Sequence, residues 1–281
     1  MPRIPDQFLH SVVYVYPSRT AAENGERAGG SGFSIAVDIN KYGLKMHYVV
    51  TNHHVAVNAR AVRFRTQGGT LIIDTHPDDW IPHPDGDDVA ILPIGMPGIG
   101  FPYRTLGDSI FLTPMLMNQL NVGPGDDTFM VGRFISHDGR IANNPLVRFG
   151  NIAMLPGEPI YQKERAYWQE SFLVESRSLS GFSGSPVFLY IPPFSYRFRS
   201  GDFTPEAISP ETSLYLLGID WGNMRLEDEA NMTNTGIMAV VPVWKLAELL
   251  ESDDVQTLHR DAVAEHEELA QGFLDAHETD D

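Results

Sequence analysis

Three short stretches of this sequence hold residue types that together could move a proton and attack a carbonyl carbon. Val49-Val50-Thr51-Asn52-His53-His54-Val55 is an apolar run that stops at two histidines. Asp87-Asp88-Val89-Ala90-Ile91-Leu92 puts a carboxylate pair directly ahead of another apolar run. Ser180-Gly181-Phe182-Ser183-Gly184-Ser185-Pro186-Val187 sets a serine between glycines. A serine hydroxyl is a weak nucleophile until a neighbouring base takes its proton. Imidazole titrates in the range where such a base works at neutral pH. A carboxylate behind it fixes the tautomer and stabilises the imidazolium formed during attack. The glycines allow a tight turn, so the N–H groups of Gly181 and Ser183 could converge on an oxyanion. Losing one such donor costs about 3–4 kcal/mol.

Taken singly, each stretch has an ordinary explanation. Gly-x-Ser-Gly is commonly a turn, a histidine after a strand is commonly filler, and Asp-Asp before an apolar run commonly solvates a strand end. The ordered set carries the signal: base, carboxylate and nucleophile, with His54, Asp88 and Ser183 spaced 34 and then 95 residues apart. That order also separates folds. An α/β-hydrolase runs Ser, Asp, His and carries Gly-x-Ser-x-Gly on a strand-to-helix turn. Here the histidine comes first, Ser185 stands where the second glycine would be, and no helical pattern follows Ser183.

The elements that must position these residues read as short strands. Ser11–Tyr16, Phe33–Val37, Lys45–Val50, Arg60–Phe64, Thr70–Ile73 and Val89–Ile94 form one series. Phe129–Phe134, Leu146–Ile152, Ser171–Val174, Pro186–Tyr190, Leu214–Ile219 and Gly236–Val241 form another. Gly, Pro, Asn and Asp bound them, which points to a sandwich or barrel and away from βαβ units. Helical spacing is expected only near the end, in Pro242–Leu250 and more weakly in Val255–Leu274.

The sequence resembles the trypsin-like serine peptidases, especially the cysteine-free bacterial branch that includes the high-temperature-requirement proteases. The resemblance spans about residues 9–250. It rests on Ser31-Gly32-Phe33, on Val50-Thr51-Asn52-His53-His54-Val55 as Thr-Asn-x-His-Val, and on Asp88-Val89-Ala90-Ile91-Leu92. It continues in Gly181-Phe182-Ser183-Gly184-Ser185-Pro186, in Leu217–Gly222 and in Ala239-Val240-Val241-Pro242. Its register selects His54 over His53 and Asp88 over Asp87. The resemblance implies an all-β fold of two six-stranded antiparallel β-barrels with a short C-terminal helix. The first barrel would take about 8–110, a linker 111–127, the second barrel 128–242 and the helix 243–251, within one peptidase domain of residues 1–250. It further implies a serine endopeptidase working without cofactor or metal on a protein or peptide substrate. The triad would be His54, Asp88 and Ser183, and the oxyanion donors Gly181 and Ser183. Asp220, Trp221 and Gly222 would pair with bound substrate. Arg177 would floor the primary pocket and favour an acidic side chain, unless it turns outward or pairs with Glu175. The rival reading is a catalytically silent barrel that only binds proteins.

Phe182 departs from the relatives activated by trimming, which carry Asp before the nucleophile to receive a new N-terminal ammonium. Control is therefore expected from a partner, a loop or the tail. Pro192–Ser213, with Tyr196, Arg197, Phe198 and Arg199, is long for a hairpin and could be a substrate-facing lid or a surface insertion. His76, Asp78, Asp79, His83 and Asp85 match no zinc or calcium spacing and read as loop polarity.

Composition sets further expectations. The formal net charge of −17 repels phosphate backbones and anionic lipid, so neither nucleic acid nor membrane is an expected partner. Of the acidic residues, 11 lie in Glu251–Asp281 beside a single arginine, a tail expected to be partly helical or disordered. There is no cysteine, which removes disulfides and thiol chemistry. With no signal-peptide pattern at the start and no long apolar run, a cytoplasmic location is expected.

Overall fold

The β-branched and aromatic runs become strands that divide into two sheets in the computed structural model. The residues described are 3–26, 29–40, 43–95, 103–137, 139, 141–176, 181–193, 196–198, 205–207, 213–228 and 231–278. The N-terminal half supplies β1 (Val12–Tyr16), β2 (Gly30–Asp38), β3 (Lys45–Thr51), β4 (Ala61–Thr66), β5 (Gly69–Asp74), β6 (Ile81–Pro82), β7 (Ala90–Gly95) and β8 (Leu106–Gly107). They form one sheet in the order β5-β4-β1-β2-β3-β7-β6, and β8 pairs parallel with β2. The C-terminal half supplies β9 (Asp127–Gly132), β10 (Leu146–Met154), β11 (Ile160–Gln162), β12 (Tyr167–Gln169), β13 (Phe172–Glu175), β14 (Pro186–Ile191), β15 (Tyr196–Phe198), β16 (Pro205–Ala207), β17 (Ser213–Asp228) and β18 (Asn231–Pro242). Of these, β10-β13-β18-β17-β14-β9 close into a barrel, while β11-β12 and β15-β16 are two-stranded ribbons.

The expected pair of six-stranded barrels is corrected by this topology. Only the second half closes; the first is an open eight-stranded sheet. The reason lies at its edges. Closure needs a strand that hydrogen-bonds along both sides, and β6 is only Ile81 and Pro82, the second of which has no N–H to give. The opposite edge, β5, is only partly buried along its length. Nor is the chain all-β. Short helices α1 (Asp6–His10), α2 (Arg19–Asn24), α3 (His53–Ala56) and α4 (Pro114–Gln119) punctuate the sheets, although helical spacing was expected only near the end. Two of these start on side-chain caps, Ser18 on the N–H of Ala21 and Thr113 on that of Leu116.

At the C-terminal end, α5 (Val243–Leu250) buries Val243, Leu246, Leu249 and Leu250, one face of a helix. Then α6 (Asp253–Glu278) docks its first turns through Val255 and His259, four residues apart. His259 Nε2 lies 2.6 Å from the hydroxyl of Tyr48 on β3. Beyond that docking point the side chains of 264–269 are exposed.

Strand β1 is buried on both faces. Val12, Tyr14 and Tyr16 join the main core, which continues into the barrel, while Val13 and Val15 face a second core with Val49, Val62, Phe64 and Trp80. Register then does the positioning. Val50 opposes Ile91 and Thr51 opposes Ala90, so the residues just after β3 and just before β7 lie side by side at one end of the sheet.

Candidate active site

Because β3 and β7 are antiparallel neighbours, His54 in α3 and Asp88 in the turn before β7 meet directly. His54 Nδ1 is 2.7 Å from Asp88 Oδ2, and the His54 backbone N–H donates to Asp88 Oδ1 at 3.0 Å. The carboxylate can only accept, so Nδ1 carries a proton, and in the neutral ring Nε2 is the nitrogen able to accept one. The adjacent residues go elsewhere. His53 Nδ1 is 3.2 Å from Arg165 Nη2. Asp87 Oδ1 accepts from Gln169 Nε2 at 2.6 Å.

Asp88 has a fully buried side chain, and its surroundings are built to keep it charged. Gln162 Nε2 donates to Oδ2 at 2.7 Å and Arg165 Nη1 stands 3.6 Å from Oδ1. Its main-chain N–H donates to Gln169 Oε1 at 2.7 Å, and its carbonyl accepts from Asn52 Nδ2 at 2.8 Å. Burial by itself pushes the carboxyl up, and it is the largest single influence. Against it act the hydrogen bond and charge of His54, the hydrogen bond of Gln162 and the charge of Arg165, which together hold the carboxyl below its ordinary value. His53 is pushed down, first by burial and then by the charge of Arg165.

The nucleophile candidate comes from the other half. Ser183 lies in the turn before β14, whose Pro186 opposes Ile219 of β17. Gly181 and Gly184 bracket it at φ 94° and 88°, left-handed conformations that favour glycine. A Cβ on Gly184 would sit 2.0 Å from the carbonyl oxygen of Ser31. The turn is tied to the open sheet at that point: Ser31 N–H donates to the Ser183 carbonyl at 2.9 Å and Ser31 Oγ to the Gly181 carbonyl at 2.7 Å. Between them, Phe182 is fully buried, with the Arg148 guanidinium 5.5 Å from its ring centre. Ser183, Gly181 and His54 line one cleft of about 270 Å³ with Tyr16, Val55 and Asn58.

Residues 30–190, more than half of the 281, match the protein-family model described as a trypsin-like peptidase domain. The chain belongs to that family. No curated protein matches it. Among solved structures it is similar to the MamO protease domain from Magnetospirillum magneticum, with a TM-score of 0.53, 15% identity, and coverage of 88% of this chain and 98% of that one. It is also similar to the Rv3671c protease in its inactive form (TM-score 0.47, 17% identity, 87% of this chain and 89% of that one). A third is the HtrA-type protease AlgW with tripeptide (TM-score 0.48, 16% identity, 88% of this chain and 61% of that one). The first exceeds 0.5 and, at its identity, speaks for the fold alone.

Within this trypsin-like domain the other expected site residues are distributed unevenly. Arg177 lies outside the described residues. Asp220 is fully buried and its main chain braces the Ser183 turn: its N–H donates to the Ser185 carbonyl at 2.9 Å and its carbonyl accepts from Gly184 N–H at 2.8 Å. Its carboxylate accepts from Gly222 N–H at 3.0 Å. Trp221 sits at a bulge in the β17–β18 pairing and donates Nε1–H to Ser171 Oγ at 3.0 Å. Gly222 is the most open of the three, with no atom within 4 Å of where a Cβ would stand. The long 192–213 segment contains the β15-β16 ribbon, with Tyr196 opposite Ala207.

Residues that sequence reasoning passed over are Gln162, Arg165 and Gln169. All three lie on the β11-β12 ribbon, and all reach the Asp87-Asp88 pair or its turn. One acidic cluster joins His83, Asp87 and Glu248, whose ligand-type atoms fall within 4.8 Å of one another. The chain already supplies a cation there. Lys245 Nζ is 3.0 Å from Glu248, 3.5 Å from Asp87 and 3.6 Å from Glu170. Burial lowers the Lys245 ammonium, but its hydrogen bond to Glu248 and the charges of Asp87, Glu248 and Glu170 outweigh that and raise it. His76 and His83 each accept a backbone N–H from their own loop, those of Asp78 and Asp85. No described helix is long and apolar enough to cross a membrane.

Proposed function

We propose that this trypsin-like domain is a serine endopeptidase acting on protein or peptide substrates through His54, Asp88 and Ser183. The observation that carries the reading is the buried Asp88 carboxylate 2.7 Å from His54 Nδ1, with that same histidine sharing a cleft with Ser183. A carboxylate buried at this depth costs desolvation that packing alone would not need. Aimed at an imidazole that is 30% exposed and lines the same cleft as a serine, it fits a base that must be oriented.

The reaction then runs as acyl transfer. Ser183 Oγ bonds to the substrate carbonyl carbon as its proton passes to His54 Nε2. The carbonyl oxygen takes up the negative charge and is held by the N–H groups of Gly181 and Ser183. Collapse breaks the C–N bond, His54 returns the proton to the leaving amine, and an ester remains on Ser183. Water, deprotonated by His54, attacks that ester and restores the enzyme. Asp88 stays ionised throughout and compensates the imidazolium.

A fluorophosphonate probe at neutral pH tests this, read by intact mass. The expected outcome is one adduct on the wild type and none on Ser183→Ala. Labelling that survives in Ser183→Ala, or no labelling of the wild type over pH 6–9, would overturn the assignment of Ser183 as an activated nucleophile.

A further inference from the structure

We infer that Gln162 is a positioning residue for this site: its side-chain amide, carried on the β11-β12 ribbon, fixes the Asp88 carboxylate in the orientation that meets His54. The inference rests on the peptidase reading above and deepens it.

The ribbon is built backwards for an element held by packing. Ile160 opposes Gln169, Tyr161 opposes Trp168 and Gln162 opposes Tyr167. On one face lie Gln162 and Gln169, 2% and 0% exposed. On the other lie Tyr161 and Trp168, 44% and 64% exposed, with ring centres 5.2 Å apart. An amphipathic ribbon ordinarily buries its aromatics and exposes its amides. This one turns its amides inward, and both reach the same acidic pair. Gln169 takes the Asp88 N–H and donates to Asp87, which fixes the backbone. Gln162 donates to Asp88 Oδ2, the oxygen that also accepts from His54, which fixes the side chain.

A second observation separates positioning from filling space. Gln162 Oε1 is buried and has no hydrogen-bond partner among the described residues. Burying an amide oxygen unpaired is unfavourable, and a methionine of the same length would avoid it. The amide is thus used for its donor alone, and that donor faces Asp88. The turn that joins the two strands is also costly in conformation. Ala166 sits at φ 51°, left-handed for a residue with a Cβ. That turn presents Arg165, which donates to the Gly86 carbonyl at 2.9 Å.

The groups facing Asp88 are His54 from α3, and Gln162 and Arg165 from the ribbon. Asp87 is held away on Gln169, with Lys245 of α5 3.5 Å from its other oxygen, and His53 lies against Arg165. Removing the Gln162 donor leaves burial less opposed, so the Asp88 carboxyl titrates higher. With its charge no longer shared with Gln162, the carboxylate also holds the proton on His54 more tightly, so the coupled pair takes up its activity-blocking proton, and the acid limb falls, at higher pH.

The test is Gln162→Met in the full chain, by three readouts. The rate of fluorophosphonate labelling at pH 7 is expected to fall about tenfold or more, with the acid limb moved upward and the melting temperature within a few degrees of wild type. Nitrogen chemical shifts of the His54 ring are expected to show a smaller share of the Nδ1–H tautomer. An unchanged rate, limb and tautomer would overturn the inference. So would slower labelling with an unshifted limb and a clearly lowered melting temperature, which is the signature of a merely structural role. Should the wild type not label at all, the peptidase reading fails on its own. The tautomer comparison still decides the inference: unchanged ring shifts in Gln162→Met refute it, and a shifted tautomer upholds it.

Discussion

Replacing Asp88 by asparagine changes one oxygen to an amino group at nearly constant volume, so it separates the carboxylate's hydrogen bonding from its packing. The wild-type carboxylate accepts from the His54 N–H at Oδ1, 3.0 Å, and from His54 Nδ1 and Gln162 Nε2 at Oδ2, 2.7 Å each. An amide has one oxygen for those two places. With its amino group at the Oδ2 place it opposes the Gln162 donor and obliges His54 Nδ1 to accept. The ring proton then moves to Nε2, where on the proposed mechanism it blocks proton uptake from Ser183. With its amino group at the Oδ1 place it opposes the His54 N–H and the Arg165 guanidinium, 3.6 Å away. Either way a buried donor is left facing a donor, which costs about 1–3 kcal/mol of stability. Labelling of Ser183 by a fluorophosphonate is expected to slow by about 10⁴-fold, or about 5.5 kcal/mol at the transition state. Stability adds a pH signature. Asp88 is held below its ordinary value of 3.8, so its ionic contribution is present above that pH and is lost as pH falls through the lower folded value. The gap in unfolding free energy between wild type and Asp88→Asn should therefore narrow as pH drops below about 3.8. A folded Asp88→Asn that labels within about tenfold of wild type would refute the claim that this carboxylate sets the His54 tautomer.

Two further predictions concern the parts that hold the site in place. In Gly184→Ala, the new Cβ would stand 2.0 Å from the Ser31 carbonyl oxygen and 2.3 Å from Thr51 Oγ1, two atoms already bonded to each other at 2.7 Å. With φ at 88° as well, a loss of about 3 kcal/mol or more is expected from the urea midpoint; a near wild-type midpoint would mean that the turn relaxes freely. Tyr48→Phe removes the partner of His259 Nε2, a ring that burial has already pushed down. It should cost about 1–2 kcal/mol and speed amide exchange in the first turns of α6, and adding His259→Phe should recover most of the loss. Unaltered exchange would show that α6 docks without that bond.

The strands were legible because their signal is local. Alternating or continuous apolar runs ended by Gly, Asn and Asp locate β3, β7 and β14 within a residue, whereas β2 begins three residues earlier than its pattern and β17 runs nine residues past its pattern. What escaped is what such patterns do not encode. The helices α1 to α4 are 4–6 residues long, too short for a helical period to repeat, and α3 coincides with the two histidines. Closure of the first half was implied by the family resemblance, yet it turns on the length of a single edge strand, β6, and on its proline. The β11-β12 ribbon has three-residue strands, and its buried positions are glutamines. Read as hydropathy, Ile160–Gln169 looks like a polar surface loop. Its one readable cue is that Tyr161-Gln162 and Trp168-Gln169 repeat aromatic-glutamine at both ends of a short hairpin, and that repeat marks the face holding Asp88.

On the proposed reading, the two halves contribute unequally to precision. His54 and Asp88 come from an open sheet, and Asp88 precedes β7, which is followed only by the two-residue edge strand β6. An edge so short gives little support of its own. The nucleophile turn, by contrast, enters β14 of a closed barrel and is locked by Asp220, whose main chain pairs with Gly184 and Ser185. The barrel half also extends to hold the weaker side, through Gln162, Arg165 and Gln169 on the ribbon. Ser31 ties the halves from the opposite direction, through the carbonyls of Gly181 and Ser183. The distance between base and nucleophile is therefore set by contacts that cross between the halves. A substitution that removes a crossing hydrogen bond without adding atoms, as Gln162→Met does, should therefore alter labelling rate more than melting temperature, whereas one in the core of either sheet should do the reverse.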